Sequence, residues 1–213
     1  MGPLALGALG VLLGMRHATD ADHVVAVTTI ACRERTVRGA LYLGMLWGIG
    51  HTITVLLVGG AIIVFGAVIP PRLGLSLEMA VAVMLIVLGA RNLARGVRHE
   101  SHVERRVRPM AIGVVHGLAG SAAIALMVLA SIHSSAQALL YLGLFGAGTV
   151  VGMMVLTVAM VLPVRAAAHR FNTVERMVGK LTGAASLVFG LVLTYRLGFL
   201  DGLFTSAPHW TPR

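Results

Sequence analysis

Apolar residues recur along this chain in long runs that short polar connections separate. Six runs are recognised, at about residues 3–31, 39–66, 75–96, 110–131, 136–163 and 177–200. A helix of roughly 20 apolar residues crosses the hydrocarbon core of a bilayer, and helical structure satisfies its backbone polar groups there. The pattern predicts an all-α membrane protein with about six transmembrane helices, which form a single transmembrane domain over residues 1–213.

The composition agrees with this prediction. Apolar residues make up 57% of the 213 residues and charged residues only 12%, whereas soluble domains carry roughly 25% charged residues. The mean hydropathy is +0.89. The apolar runs leave no room for a separate soluble domain.

Positive charge is concentrated in alternate connections between the runs. The basic connections read CRERTVR, RNLARGVRHESHVERRVR and RAAAHRFNTVERMVGK, whereas PPRLGLSLE and HSSAQ carry one Arg between them. The positive-inside rule assigns the three basic connections to the cytoplasm and both termini to the outside. The net charge of +9 is therefore interpreted as membrane topology, and no nucleic-acid partner is expected.

A shift of 99 residues aligns the two halves of the chain. It pairs Gly14 with Gly113, His17 with His116, and LYLG at 41–44 with LYLG at 140–143. We interpret this as a duplication, with repeat 1 at about 1–98 and repeat 2 at about 99–213. Three helices in each repeat, an odd number, place the second copy upside down, which gives the inverted-repeat plan of many secondary transporters.

The most unusual stretch is GMRHATDADHVVAV at residues 14–27, which brings several ionisable side chains to the middle of the first run. An ionisable side chain at that depth costs on the order of 3 kcal/mol, so these groups must face protein, water or an ion. Imidazoles combined with carboxylates suit Ni, Co, Zn and Cu better than Mg or Ca. The alternatives are a structural ion-pair network between helices and a proton relay without metal.

The spacing inside this motif poses a geometrical problem. On a regular helix His17, Asp20 and His23 share one face, whereas Asp22 points away from His17 by about 140°. Either Asp22 has a separate role, pairing with Arg16 or holding the second nitrogen of a histidine, or the helix is interrupted within the motif.

Two further histidines are candidate ligands. His51 lies in the middle of the second run, and His116 corresponds to His17 in the proposed repeat, where Ala119 and Ser121 replace the two aspartates. The complete set of candidate metal ligands is His17, Asp20, Asp22, His23, His51 and His116.

The stretch RHATDADHV resembles the signature of the nickel/cobalt transporter (NiCoT) family, and His17, Asp22 and His23 match its three defining positions. The stretch GIGHTITV is similar to a second family pattern and carries His51. Later stretches, HGLAGSAA and GAGTVVGMMVLTVAM, look more like the short UreH-like and NicO-type relatives.

This resemblance implies a secondary carrier, not an enzyme, in the bacterial inner membrane. Ni(II) or Co(II) is its transported substrate, no cofactor is implied, and the lipid bilayer is its environment. The alternative is a membrane accessory protein for urease or hydrogenase maturation that has no transport activity of its own. Metalloenzyme maturation proteins or a second copy of the chain are then the expected protein partners.

Overall fold

A computed structural model describes residues 3–31, 34, 36–66, 69–94, 102–118, 132, 134–168 and 174–210. Over these residues the chain is helical, with connections and a short irregular C-terminal segment. The α-helices in this part of the chain are α1 (Pro3–His17), α2 (Ala21–Ala31), α3 (Val37–Phe65), α4 (Pro71–Ala94), α5 (His102–Gly117), α6 (Ser135–Ala168) and α7 (Val174–Tyr195). A π-helical turn, Arg196–Leu200, continues α7.

Four segments are long and apolar enough to cross a membrane. They are Val37–Phe65, Pro71–Ala94, Ser135–Ala167 and Met177–Leu200. The run at 3–31, predicted as one span, is instead divided into the shorter apolar helices α1 and α2. The run at 110–131 is described only as far as Leu118, and the rest lies outside the described residues. The prediction of an all-helical membrane architecture therefore holds, and the count of six spans stays a prediction.

Several helix ends differ from the predicted ones for local reasons. α5 begins at His102, within a connection predicted to be a polar loop. A hydropathy pattern detects apolar helical segments and does not detect the polar start of this helix. α4 begins at Pro71, a residue favoured at the first helical position. α3 begins after Thr36, whose hydroxyl accepts a hydrogen bond from the backbone N–H of Gly39 at 2.9 Å. Gly66, at φ 61°, ends α3 in the left-handed conformation.

The helices pair in a regular way. α3 packs along α6, α1 packs on α6, α5 packs on α3, and α4 packs on α7. Glycines permit the close approach: a Cβ atom at Gly14 would overlap the carbonyl group of Phe145, and one at Gly113 would overlap that of Trp47. In lipid, where apolar surface drives little association, small residues at helix contacts supply dense packing. These contacts seat the C-terminal ends of α1 and α5 against α6 and α3.

Polar side chains join α4 to α7. The Ser186 hydroxyl donates to the Leu85 carbonyl at 2.8 Å, and the Asn92 amide donates to the Gly179 carbonyl at 3.0 Å. The C-terminal segment returns to α4, where the indole N–H of Trp210 donates to Glu78 at 2.8 Å. Hydrogen bonds between helices hold these partners where water is scarce.

Candidate metal centre

The interruption between α1 and α2 shapes the centre. α1 ends at His17, a turn covers Ala18–Asp20, and α2 begins at Ala21. Thr19 closes the end of α1, because its hydroxyl and its backbone N–H both donate to the carbonyl of Arg16, at 2.6 and 2.9 Å. The structure combines both arrangements left open by the helical spacing, because the helix is interrupted and Asp22 also lies beside ring nitrogens of His23 and His116. No proline is needed, since the Thr19 hydrogen bonds satisfy a carbonyl that the break exposes.

Four imidazoles meet beside this break. They come from different elements: His17 from α1, His23 from α2, His51 from α3 and His116 from α5, and all are buried. The ring centroid of His23 lies 4.6 Å from that of His17, 5.3 Å from that of His51 and 4.1 Å from that of His116. His23 is therefore the central ring of the cluster.

Two carboxylates hold the outer nitrogens of this cluster. Asp20 Oδ2 lies 2.9 Å from His17 Nδ1, and Asp22 Oδ1 lies 3.1 Å from His23 Nδ1. The other oxygen of Asp22 lies 2.9 Å from His116 Nε2. A carboxylate that accepts the Nδ1–H of a histidine leaves the Nε2 lone pair free for a metal and fixes the orientation of the ring. The two aspartates therefore orient the rings of His17 and His23.

The spacing of two facing ring nitrogens fits both a hydrogen bond and metal binding. His17 Nε2 and His51 Nε2 are 3.2 Å apart. Two imidazole nitrogens that bind one ion at about 2.0–2.1 Å with tetrahedral geometry lie about 3.3–3.4 Å apart. Within the described part of the chain, His23 Nε2, His51 Nδ1 and His116 Nδ1 are buried without a hydrogen-bond partner. Buried polar atoms are rarely left unpaired, so these three rings are candidate ligands.

Two groups of three side chains have the geometry to hold an ion. We call His17, His23 and His51 the first triad, and Asp22, His23 and His116 the second triad. Within each triad, one ligand atom per residue lies within 4.8 Å of the others. All six residues predicted from the sequence lie in or beside this centre. Asp20 is outside both triads and contacts the centre through His17.

Aromatic side chains cover the cluster, and no sequence motif singled them out. The Trp47 indole stacks on the imidazole of His23 at 6.0 Å with an interplanar angle of 9°, and the Phe145 ring lies 5.5 Å from that of His17. Trp47 precedes His51 by one helical turn, and this spacing is a signal that would have identified it. Phe145 carries no such signal, because it reaches the centre from a distant helix.

The centre is open on the side of the aspartates. The side chain of Asp20 is 43% exposed and that of Asp22 is 21% exposed, whereas the imidazoles of His23 and His116 are fully buried. The carboxylates are therefore more exposed than the imidazoles of His23 and His116.

Comparison with known proteins identifies the family. The profile of the NicO family, described as "High-affinity nickel-transport protein", matches residues 4–95. The chain is also 34% identical over 218 residues to the "Urease accessory protein UreH" of Bacillus sp. (strain TB-90), an alignment that covers 94% of this chain and 95% of that protein. The chain belongs to the NicO nickel-transport family. The resemblance inferred from the motif is thereby confirmed, and this NicO protein belongs to a family of transporters and accessory proteins, not of enzymes. No solved structure matches the chain significantly.

Proposed function

We propose that this NicO protein is a secondary carrier that moves Ni(II), and Co(II) as a close analogue, across the bacterial inner membrane. The observation that carries the proposal is the buried cluster of four imidazoles, in which three rings have nitrogens without a hydrogen-bond partner among the described residues. Imidazole ligands suit borderline transition metals, and affinity alone does not separate nickel from its neighbours. The family match to a nickel-transport protein favours nickel.

The centre lies where a carrier needs it. The break between α1 and α2 falls in the middle of the first apolar run, and interrupted helices form the midplane sites of many secondary transporters. In this proposal the ion loses its water ligands at the break and is bound by His17, His23 and His51, with Asp20, Asp22 and His116 around them.

The glycine contacts support an inverted repeat within this carrier. Gly14 of α1 packs on Phe145 of α6, and Gly113 of α5 packs on Trp47 of α3. A shift of about 99 residues exchanges one contact for the other. In the same way, Gly48 contacts Val150 while Gly146 contacts Thr52. We propose repeats at about 1–98 and 99–213, six spans in total, and both termini outside the cell.

The direct test is nickel flux in proteoliposomes that contain only the purified full-length chain. Radioactive Ni(II) is expected to cross with the unmodified protein. The His17→Ala, Asp22→Ala and His23→Ala variants are each expected to lose flux, because each removes a ligand or its support. His209→Ala is the matched control, since His209 is exposed and distant in sequence from the centre. Normal flux in all three centre variants would refute the proposed site.

A second function is favoured by the similarity to a urease accessory protein. In this second function, the chain binds nickel in the membrane and supplies it to metalloenzyme maturation proteins without moving the ion across the bilayer. The proteoliposome assay separates the two functions. Nickel binding without flux, combined with stimulation of urease activation in cells, would favour the accessory role over the carrier.

A further inference from the structure

The cluster offers two overlapping sets of three candidate ligands. We propose that it provides two alternative ion positions that share His23, and that the ion passes from one to the other during transport. The first position is the first triad, and the second position is the second triad. This inference rests on the proposed function, because it describes how the same centre handles its metal.

The distances separate the two positions. In the first triad the Nε2 atoms of His17 and His51 already lie 3.2 Å apart. In the second triad Asp22 Oδ2 lies 2.9 Å from His116 Nε2. The ring centroids of His51 and His116 are 6.3 Å apart. Ligand atoms of one ion lie within about 4.2 Å of one another, and the two triads do not merge into one close group among the described residues.

His23 is the residue that makes the positions exclusive. Its Nδ1 atom faces Asp22 at 3.1 Å, and its Nε2 atom has no hydrogen-bond partner among the described residues. A neutral imidazole offers one lone pair, since its other nitrogen carries the proton. His23 therefore serves one position at a time, and the cluster holds one ion per chain although it has two places for it.

The two positions differ in chemistry and in the elements that build them. The first has three imidazole ligands from α1, α2 and α3, whereas the second keeps His23 and has the Asp22 carboxylate and His116 of α5 in place of the other two imidazoles. An ion that moves between them keeps His23 on α2 and exchanges ligands on α1 and α3 for a second ligand on α2 and one on α5. Relative movement of these helices would then change which position is favoured, and this links the ion to a conformational change.

Spectroscopy of bound Co(II) on the purified full-length protein tests this arrangement. His116→Ala removes a ligand of the second position only, and His51→Ala removes one of the first position only. Each variant is expected to bind one Co(II), with a different visible spectrum because one ligand set includes a carboxylate. His23→Ala is expected to weaken binding in both positions by more than the roughly 100-fold effect of losing an outer-shell partner. His209→Ala serves as the control with an unchanged spectrum.

Flux measurements distinguish binding of the ion from its passage across the membrane. The His51→Ala and His116→Ala proteins are both expected to lose Ni(II) flux in proteoliposomes while each still binds one ion. Glutamine variants at the same positions keep most of the side-chain volume and distinguish a missing ligand from a misfolded protein. Identical Co(II) spectra for the two alanine variants would overturn the proposal, as would loss of binding in the glutamine variant at either position.

A measurement on the unmodified protein tests the two-position proposal without any variant. X-ray absorption of bound Ni(II) counts the imidazole ligands of the metal. The proposal expects no more than three, because no triad has more, and a count of four would overturn it in favour of one merged site. If instead the unmodified protein binds nickel with the expected count but carries no flux, the proposed carrier function fails and the two-position arrangement stands.

Discussion

The helices α3 and α6 pack against each other. α3 also contacts the end of α5, and α6 contacts the end of α1, yet of α3 and α6 only α3 contributes a histidine to the cluster. On α3, Trp47 and His51 face Gly113 of α5. On α6, Phe145 and Thr149 face Gly14 of α1. The spacing is four residues in both cases, so the two helices share one packing plan.

The two pairs differ in the hydrogen bonds of their second side chain, which is His51 on α3 and Thr149 on α6. The Thr149 hydroxyl donates to the Phe145 carbonyl of its own helix at 2.9 Å. His51 Nδ1 has no hydrogen-bond partner among the described residues, and its Nε2 lies 3.2 Å from His17 Nε2. The two helix pairs therefore share their packing but differ in polar chemistry. In the contact of α6 with α1, Thr149 satisfies its hydroxyl within its own helix. In the contact of α3 with α5, His51 keeps a ring nitrogen that has no hydrogen-bond partner among the described residues.

The largest effect is expected from His51→Ala when it is compared with Thr149→Ala at the corresponding position of α6. His51→Ala is expected to lower Ni(II) flux by more than the roughly 100-fold loss of an outer-shell change. Thr149→Ala removes a hydroxyl that is satisfied within its own helix, at a cost of about 1 kcal/mol, and is expected to leave flux near the level of the unmodified protein. Proteoliposome flux at matched protein amounts measures both. Equal losses would mean that α3 and α6 contribute in the same way.

A smaller effect is expected from the carboxylate that supports His17. Asp20→Asn weakens the hydrogen bond that fixes the ring of His17, and outer-shell changes of this kind lower metal affinity by about 10- to 100-fold. Equilibrium dialysis with Ni(II) measures the change. Asp201→Asn, near the C-terminus, is the matched control. Unchanged affinity in Asp20→Asn would remove Asp20 from the centre and leave it as a polar residue of the break.

The smallest effect tests the shared packing plan itself. Gly14→Ala and Gly113→Ala each place a methyl group against a backbone carbonyl, and overpacking of this kind costs about 1–3 kcal/mol. We expect similar decreases in thermal stability for both, since both contacts have the same geometry. Gly143→Ala is the control, because a Cβ atom there meets no described atom within 4 Å. A large decrease for one variant alone would show that the two contacts are not equivalent.

The hydropathy pattern was a reliable guide to α3, α4, α6 and α7, because burial in lipid imposes long apolar helices whatever their partners. It was less reliable where a helix leaves the bilayer, as at the start of α5, or where a helix is interrupted. The break at Ala18–Asp20 has no proline to mark it. Hydrogen bonds from Thr19 stabilise it, as does the packing of α1 on α6 and of α2 on α4, α6 and α7, and a linear pattern contains neither.

The residues that gather in the cluster were predicted more completely than the fold around them. Ionisable side chains in the middle of an apolar run are costly, so His17, Asp20, Asp22 and His23 stand out by residue type and position alone. His51 and His116 were recognised by depth and by repeat position. The aromatic cover was missed, because tryptophan and phenylalanine are unremarkable in a membrane helix until their neighbours are known.

The sequence by itself determined that this is a helical membrane protein of the nickel-transport type, since composition, charge in the connections and one dense motif depend only on residue identity. Only the tertiary structure decided how the motif is used. It interrupts the first helix, turns Asp22 toward both His23 and His116, and leaves His23 between two sets of ligands. The physical reason is that metal ligands are defined by distances of a few ångströms between side chains from different helices. Such distances are set by how α1, α2, α3 and α5 pack and not by spacing along the chain.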